Sequence, residues 1–134
     1  MSADRAAGEA GAGEAGAGGG TELQRVCFTL RVRPGLIDEY RRAHEAVWPE
    51  MLREIAASGR RNYSLFLAAD GLLVGYYETR SPDAATRYLA ESPVAAEWER
   101  AMSRFFVSIE GRADQDAPQL AEVFNLELQV GELV

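Results

Sequence analysis

Along this chain the spacing of apolar residues switches between a period of two and a helical period, and the order of these switches constrains the fold more than any other feature. Gln24 to Arg33 has an apolar side chain at every second position, which is typical of a β-strand. Pro34 and Gly35 end this strand, and Leu36 to Ser58 then carries apolar residues at helical spacing. Pro49 inside that run either bends the helix or begins a second one.

Two apolar, aromatic-rich runs follow, Asn62 to Ala69 and Leu72 to Thr79, and they flank Asp70-Gly71. This dipeptide favours a β-hairpin, because a type I′ turn requires positive φ at both central residues. Both faces of the hairpin are largely apolar, whereas an antiparallel sheet usually exposes one face to water. We therefore expect the second face to be covered, either by helices with a ligand pocket or by another subunit.

The last third of the chain predicts two helices and a final strand. Ser81-Pro82 and Ser92-Pro93 each combine an N-cap with proline at the first helical position. They predict helices ending near Ala90 and near Val107, and Leu120 to Leu128 alternates weakly as a strand. The order βαββαβ is that of an α+β, ferredoxin-like domain, with a four-stranded antiparallel sheet and helices on one face. Such a domain can close its open face by pairing with a second copy, so we expect a homodimer.

Composition predicts the domain organisation and excludes several classes of partner. Residues 1–20 are almost entirely alanine, glycine and glutamate, and they cannot bury enough apolar surface to offset the entropy of ordering. We expect a disordered tail over residues 1–20 and a single domain over residues 21–134. The formal net charge of −7 argues against a nucleic-acid partner, which would require a basic face. No run approaches the ~18 apolar residues of a membrane helix, so no membrane association is expected.

The chain contains a single cysteine and a single histidine, which limits its chemistry. Cys27 lies in an apolar strand pattern, where a buried inert thiol is expected. A lone cysteine forms no intramolecular disulfide, and this fits a reducing cytoplasm. One histidine and one cysteine cannot make a Cys/His zinc site, and no glycine motif for nucleotide phosphates is present. We therefore expect no metal and no cofactor, so that side chains alone carry the chemistry.

Tyr40, His44 and Trp48 have the i, i+4, i+8 spacing that places side chains in one row of a helix. Aromatic rings can cover the apolar face of a pyranose, and a phenol and an imidazole supply hydrogen bonds and protons. The same spacing is also typical of core residues. However, the unperturbed pKa of His44, about 6.5, suits proton transfer near neutrality. Tyr63 on the hairpin and Trp98 on the last helix could converge on the same pocket.

The segment from Tyr40 to Glu50, YRRAHEAVWPE, resembles the YxxxHxxxWPE segment of the L-rhamnose mutarotase family. Weaker matches in the same order are Asn62-Tyr63, Trp98 and the closing Glu122-Val123-Phe124. The resemblance extends over roughly residues 24–126. It implies a dimeric ferredoxin-like α/β barrel that uses neither a metal nor an organic cofactor.

The resemblance also implies roles for individual residues. His44 would be the proton-transferring residue, and Tyr40, Tyr63 and Trp98 would contact the sugar. Trp48, from the same helical row, is expected to contact it as well.

One position departs from the family pattern. Some members carry a second tryptophan directly after the one matched by Trp98, whereas this chain has Glu99. A carboxylate can hydrogen-bond a sugar hydroxyl but cannot stack on the ring.

The hypothesis is mutarotation by general acid–base catalysis at the anomeric carbon of L-rhamnose. Ring opening removes a proton from the C1 hydroxyl and gives one to the ring oxygen, and closure on the other face yields the other anomer. His44 would transfer one proton, and Tyr40 or a bound water would serve the other.

Two alternatives come from different functional classes, since one fold hosts many functions. The first is a cofactor-free monooxygenase of the same dimeric architecture, acting on aromatic polyketides or quinones. The second is a non-catalytic module that binds a sugar or another small ligand. The HxxxWPE string favours the mutarotase.

Overall fold

The computed structural model describes residues 22–107 and 109–133. The predicted tail of residues 1–20 lies outside the described residues. The strands are β1 Gln24–Arg31, β2 Arg61–Leu67, β3 Leu72–Thr79 and β4 Gln119–Leu120. The α-helices are α1 Ile37–Ala43, α2 Pro49–Ser58, α3 Pro82–Ala90, α4 Pro93–Met102, α5 Ala113–Asp116 and α6 Leu126–Gly131. The chain divides after Gln119, so residues 120–133 are described by themselves.

The four strands form one antiparallel sheet in the order β2-β3-β1-β4. Gly75 of β3 pairs with Phe28 of β1 on one side and with Leu65 of β2 on the other. At the β4 edge, the backbone N–H of Thr29 donates to the carbonyl of Pro118, 3.0 Å away. This topology and the element order are those of a ferredoxin-like α+β domain, so the predicted fold class is confirmed.

The core lies between one face of the sheet and the helices. Alternate side chains of β1 and β3 point into it, and so do the buried faces of α3 and α4. The buried core residues on these elements include Val26, Phe28, Leu30, Leu73, Tyr77, Leu89, Ala95 and Trp98. Gly75 is required at its position, because a Cβ there would overlap the ring of Phe28. The sheet therefore accepts a large aromatic ring directly over a glycine.

The predicted helical run from Leu36 to Ser58 is two helices. A 3₁₀ turn, Pro34–Leu36, leads into it, and α1 ends at Ala43. Trp48 has the extended geometry φ −51°, ψ 131° and is the N-cap of α2, with Pro49 at its first position. The residue before a proline avoids the helical region, so Pro49 begins a second helix rather than bending the first.

The Asp70-Gly71 hairpin is present, and its loop is longer than the two residues of a type I′ turn. Gly71 has φ +99°, whereas Asp70 is not in the positive-φ region. The N–H of Ala68 donates to the carbonyl of Leu72 (2.8 Å), and the N–H of Gly71 donates to the carbonyl of Ala68 (3.0 Å). This is the three-residue loop that ends in a left-handed glycine. It is stabilised by Asp70 Oδ1, which accepts from the N–H of Leu72 at 3.1 Å.

Two predictions near the C-terminus are wrong. The helix expected to reach Val107 ends at Met102 and continues as a 3₁₀ turn, Ser103–Phe105. The strand expected over Leu120 to Leu128 is limited to β4, and α6 follows. The side chain of Asn125 accepts from the N–H of Leu128 at 3.1 Å, and this N-cap favours a helix over an extended segment.

None of the helices in the described part of the chain is long and apolar enough to cross a membrane.

Candidate active site

His44 lies at the C-terminal end of α1, and the backbone of that helix determines its tautomer. Its backbone N–H is 3.2 Å from the carbonyl oxygen of Tyr40, and its side-chain Nδ1 is 3.0 Å from the same oxygen. Because a carbonyl oxygen only accepts, Nδ1 carries the hydrogen and donates it. Nε2 of the neutral imidazole therefore has the lone pair, and it is the nitrogen able to take up a proton.

Aromatic rings enclose the imidazole of His44 on two sides. The ring of Tyr40 lies against it, with centroids 4.2 Å apart and planes inclined by 32°. The indole of Trp98 meets it edge-on at 5.5 Å, and Trp48 meets Trp98 edge-on at 5.0 Å. Edge-to-face contacts of this kind stabilise aromatic pairs beyond their buried area. The orientation of the imidazole is therefore set by its neighbours on both sides.

His44 borders a cavity of about 450 Å³, within the ~300–1,000 Å³ range of small-molecule sites. One part of its wall is apolar and aromatic. Another part carries charged side chains. The lining residues on which the chemistry depends are His44, Arg60, Tyr63, Trp98, Glu99 and Asp114. This combination of aromatic faces and a few polar groups suits a polyhydroxylated ring with one apolar face.

The five residues singled out from the sequence do not all border this cavity. His44, Tyr63 and Trp98 line it. Tyr40 is 4% exposed and packs behind His44, with its ring edge-on to Phe105 at 5.4 Å. Trp48 is 36% exposed, and the cavity that it borders is a separate one. Tyr40 and Trp48 thus contact the cavity residues from outside.

A β-bulge at the start of β2 orients Tyr63. Arg61 pairs with Glu78 and Ser64 pairs with Tyr76, so two residues of β2 oppose one residue of β3. Asn62 has φ +49°, a conformation that asparagine tolerates better than most residues. Tyr63 then faces inward and lies 5.3 Å from the ring of Tyr77. Such bulges re-aim side chains near functional sites.

Burial sets the protonation of the aromatic part of the site. Burial lowers the pKa of His44 below its usual value, and the hydrogen bond to the Tyr40 carbonyl offsets only part of this effect. His44 is therefore neutral near pH 7. Burial also raises the pKa of both Tyr40 and Tyr63 above the usual phenol value. Both phenols thus remain protonated and can donate hydrogen bonds.

The charged part of the wall, apart from Glu99, was not predicted from the sequence. The guanidinium of Arg60 lies 4.4 Å over the Tyr77 ring. Its Nη2 donates to the carbonyl of Asp114 (2.8 Å) and to Thr86 Oγ1 (3.2 Å). The Asp114 carboxylate forms a bidentate pair with Arg112, at 2.7 and 2.9 Å. Among residues 22–107 and 109–133, no group of three or more His, Cys, Asp or Glu could hold a metal ion.

Of the charged residues in the wall, only Glu99 could be singled out from the sequence, because it follows Trp98 where some family members have a second tryptophan. Arg60 and Asp114 lie next to a helix end and in a short connecting helix, where charged residues are ordinary.

The fold and the cavity define a ferredoxin-like α+β protein with a histidine among aromatic rings in a small-molecule site. A crystal structure of an L-rhamnose mutarotase from Formosa agariphila superimposes with a TM-score of 0.61 at 21% identity, covering 76% of this chain and 97% of that chain. A candidate antibiotic biosynthesis monooxygenase from Nitrosomonas europaea gives 0.51 at 12% identity, covering 76% and 91%. These likenesses show the fold, which both classes share.

Sequence comparison separates the two classes. The family model of L-rhamnose mutarotase matches residues 25–126. An L-rhamnose mutarotase of Sinorhizobium fredii is 33% identical over 107 residues, covering 78% of this chain and 99% of the relative. The chain belongs to the L-rhamnose mutarotase family.

Proposed function

We propose that this protein interconverts the α and β anomers of L-rhamnose by opening and reclosing the pyranose ring. The observation that carries the proposal is the neutral imidazole of His44 in the cavity wall, with Nδ1 bound to the Tyr40 carbonyl. Nε2 then has the free lone pair, so it is the nitrogen that can take a proton from the sugar. Family membership supports a rhamnose ring as the substrate.

The proposed site divides the work between proton transfer and binding. His44 accepts the proton of the C1 hydroxyl through Nε2 and returns it when the ring closes. The indole of Trp98 covers the apolar face of the sugar, and the protonated Tyr63 hydroxyl donates a hydrogen bond to it. Tyr40 and Trp48 belong to the site through their ring contacts with His44 and Trp98.

The test is magnetisation exchange between the two anomeric proton signals of L-rhamnose, measured by saturation-difference NMR with and without the protein. We expect faster exchange with the protein, and smaller effects for sugars of other ring stereochemistry. His44→Ala is the matched control. Exchange at the spontaneous rate despite sugar binding would favour a binding module. Turnover of an anthrone or quinone instead would favour the monooxygenase.

We also propose that the protein is a homodimer. The sheet face opposite the helices carries Cys27 and Thr29 from β1, Phe66 from β2, and Val74 and Tyr76 from β3, as the register requires. Phe66 is 64% exposed. A sheet face with an exposed aromatic ring among aliphatic and small side chains suits an interaction surface, and a second sheet of the same kind would cover it in an isologous contact.

Light scattering at micromolar concentration tests the dimer, and we expect twice the mass of the chain. Phe66→Glu should shift the mass toward the monomer, since it would place carboxylates in the interface. A wild-type mass equal to one chain contradicts the proposal.

We further infer that residues 21–134 act as one domain, since the family match spans the division at Gln119. We also infer that this domain works in the cytoplasm.

A further inference from the structure

A second titratable side chain lies in the wall of the cavity that contains His44. Glu99 follows Trp98 on α4, so the two side chains leave the helix about 100° apart. Trp98 contacts the imidazole. Glu99 contacts another part of the wall, where its Oε1 accepts from the backbone N–H of Asp114 at 3.3 Å. A sugar in the cavity therefore has the imidazole in one part of its surroundings and a carboxyl group in another.

The Tyr40 hydroxyl is less suited to exchange the second proton. Its side chain is 4% exposed and packs behind the imidazole instead of bordering the cavity. Burial raises the pKa of this phenol, so the phenolate that must form after proton donation is disfavoured. A residue that gives and retakes a proton in each turnover needs both forms to be accessible near neutrality.

We propose that Glu99 is the catalytic residue that exchanges a proton with the ring oxygen, while His44 exchanges one with the anomeric hydroxyl. This assignment rests on the proposed mutarotase function and completes it. Tyr40 is then a positioning residue, which holds His44 through its ring and its carbonyl.

The proton transfers balance over one turnover. Nε2 of His44 takes the proton of the C1 hydroxyl, and the oxygen of that hydroxyl becomes the aldehyde oxygen. The bond between C1 and the ring oxygen breaks, its electron pair stays on the ring oxygen, and protonated Glu99 supplies the proton there. After rotation about the C1–C2 bond, the ring oxygen attacks the other face of the aldehyde. Glu99 then regains its proton, and His44 returns its own to the new C1 hydroxyl.

The surroundings of Glu99 keep both of its forms accessible. Burial, followed by the nearby charge of Asp114, raises the pKa of Glu99 to about 7, while Arg112 and backbone N–H groups oppose the shift. Burial and, to a smaller extent, the charge of Glu99 raise the pKa of both Tyr40 and Tyr63, so both phenols stay protonated. A group with a pKa near the working pH is the most effective proton-transfer catalyst.

Glu99 also has a route for proton exchange with the solvent. It borders a second cavity, of about 350 Å³, whose wall includes the exposed residues Arg100, Ser103 and Gly111. Water in that cavity can re-equilibrate the carboxyl group without passing the bound sugar.

The test compares Glu99→Gln with Glu97→Gln, an exposed glutamate on the same helix. Glutamine preserves shape and hydrogen bonding but transfers no proton. We expect Glu99→Gln to lower the anomer exchange rate by about 10²-fold, with sugar affinity within a few-fold of wild type by NMR titration. Wild type should also lose activity above the pKa of Glu99, and the variant should lack this decline. Glu97→Gln should match wild type in both measurements.

Chemical rescue distinguishes the loss of proton transfer from a purely structural effect of the substitution. Formate is small enough to occupy the space left by Glu99→Ala, and it should restore part of the exchange rate in that variant alone. Folded Glu99→Gln protein with near-wild-type exchange and an unchanged pH profile would overturn the assignment of Glu99. Wild-type protein that leaves exchange at the spontaneous rate would overturn the proposed function itself, and the two failures are thereby distinguished.

Discussion

The imidazole of His44 is held twice by Tyr40: its ring stacks on the phenol at 4.2 Å, and its Nδ1 donates to the Tyr40 carbonyl at 3.0 Å. The first contact fixes the plane of the imidazole, and the second fixes its tautomer. The two contacts use the ring and the backbone of Tyr40, and neither uses its hydroxyl. Substitutions at this position can therefore separate the functions of the ring and the hydroxyl.

Tyr40→Phe should keep both contacts, and we expect anomer exchange to fall less than about tenfold, well below the usual effect of losing an acid–base group. Tyr40→Ala should remove the ring from the core and lower the free energy of unfolding by about 3–5 kcal/mol. Urea unfolding and anomer exchange on the same samples check both statements. A loss in Tyr40→Phe as large as that in His44→Ala would make the phenol a proton donor.

His44→Ala should leave the protein folded and lower anomer exchange by about 10²–10⁴-fold. The physical reason is that Nε2 of His44 is the proton acceptor in the proposed mechanism, and the chain has no other imidazole. Circular dichroism and exchange NMR on the same sample separate folding from chemistry. Exchange within a few-fold of wild type in the folded variant would end the His44 mechanism.

Trp98 and Trp48 should differ sharply although their rings touch. Trp98 is 7% exposed and borders the cavity, so Trp98→Ala should cost about 3–5 kcal/mol of stability and abolish detectable sugar binding. Trp48 borders a separate cavity, and Trp48→Ala should change affinity only a few-fold. NMR titration with L-rhamnose measures both. Equal losses in the two variants would place Trp48 in direct contact with the sugar.

Stability should depend on pH through Glu99. Burial raises its pKa in the folded protein from 4.5 to about 7, so between these values the native state binds more protons than the unfolded state. The free energy of unfolding should therefore fall as pH rises through this window, by roughly 1–3 kcal/mol for this group. Glu99→Gln should lack this component. The difference between the two proteins isolates Glu99, because His44 titrates in both.

Urea unfolding at about pH 5 and about pH 8 brackets this window. Parallel pH dependences in wild type and variant would contradict the raised pKa.

Much of the fold was accessible from the sequence because local signals agree with the tertiary structure. The side chains of Ser81 and Ser92 cap α3 and α4 as predicted, accepting from the N–H groups of Ala84 and Ala95 at 3.2 and 3.1 Å. The C-terminal error has a local origin too. Leu120 to Leu128 alternates only weakly, and the cap supplied by Asn125 outweighs that pattern.

The site was only partly accessible, since it depends on long-range geometry. A helical row cannot show that the helix ends before Trp48, nor that Tyr40 faces the core instead of the cavity. Arg60 and Asp114 are 54 positions apart, and no periodicity relates them.

The bulge at Asn62 has a consequence for how this protein tolerates change. In an unbroken strand, side chains three positions apart point to opposite faces, yet Arg60 and Tyr63 both border the cavity. The extra residue resets the alternation between them. Deleting one residue between Arg60 and Tyr63 would therefore turn one of these two side chains away from the cavity, whereas a conservative substitution there leaves the alternation unchanged.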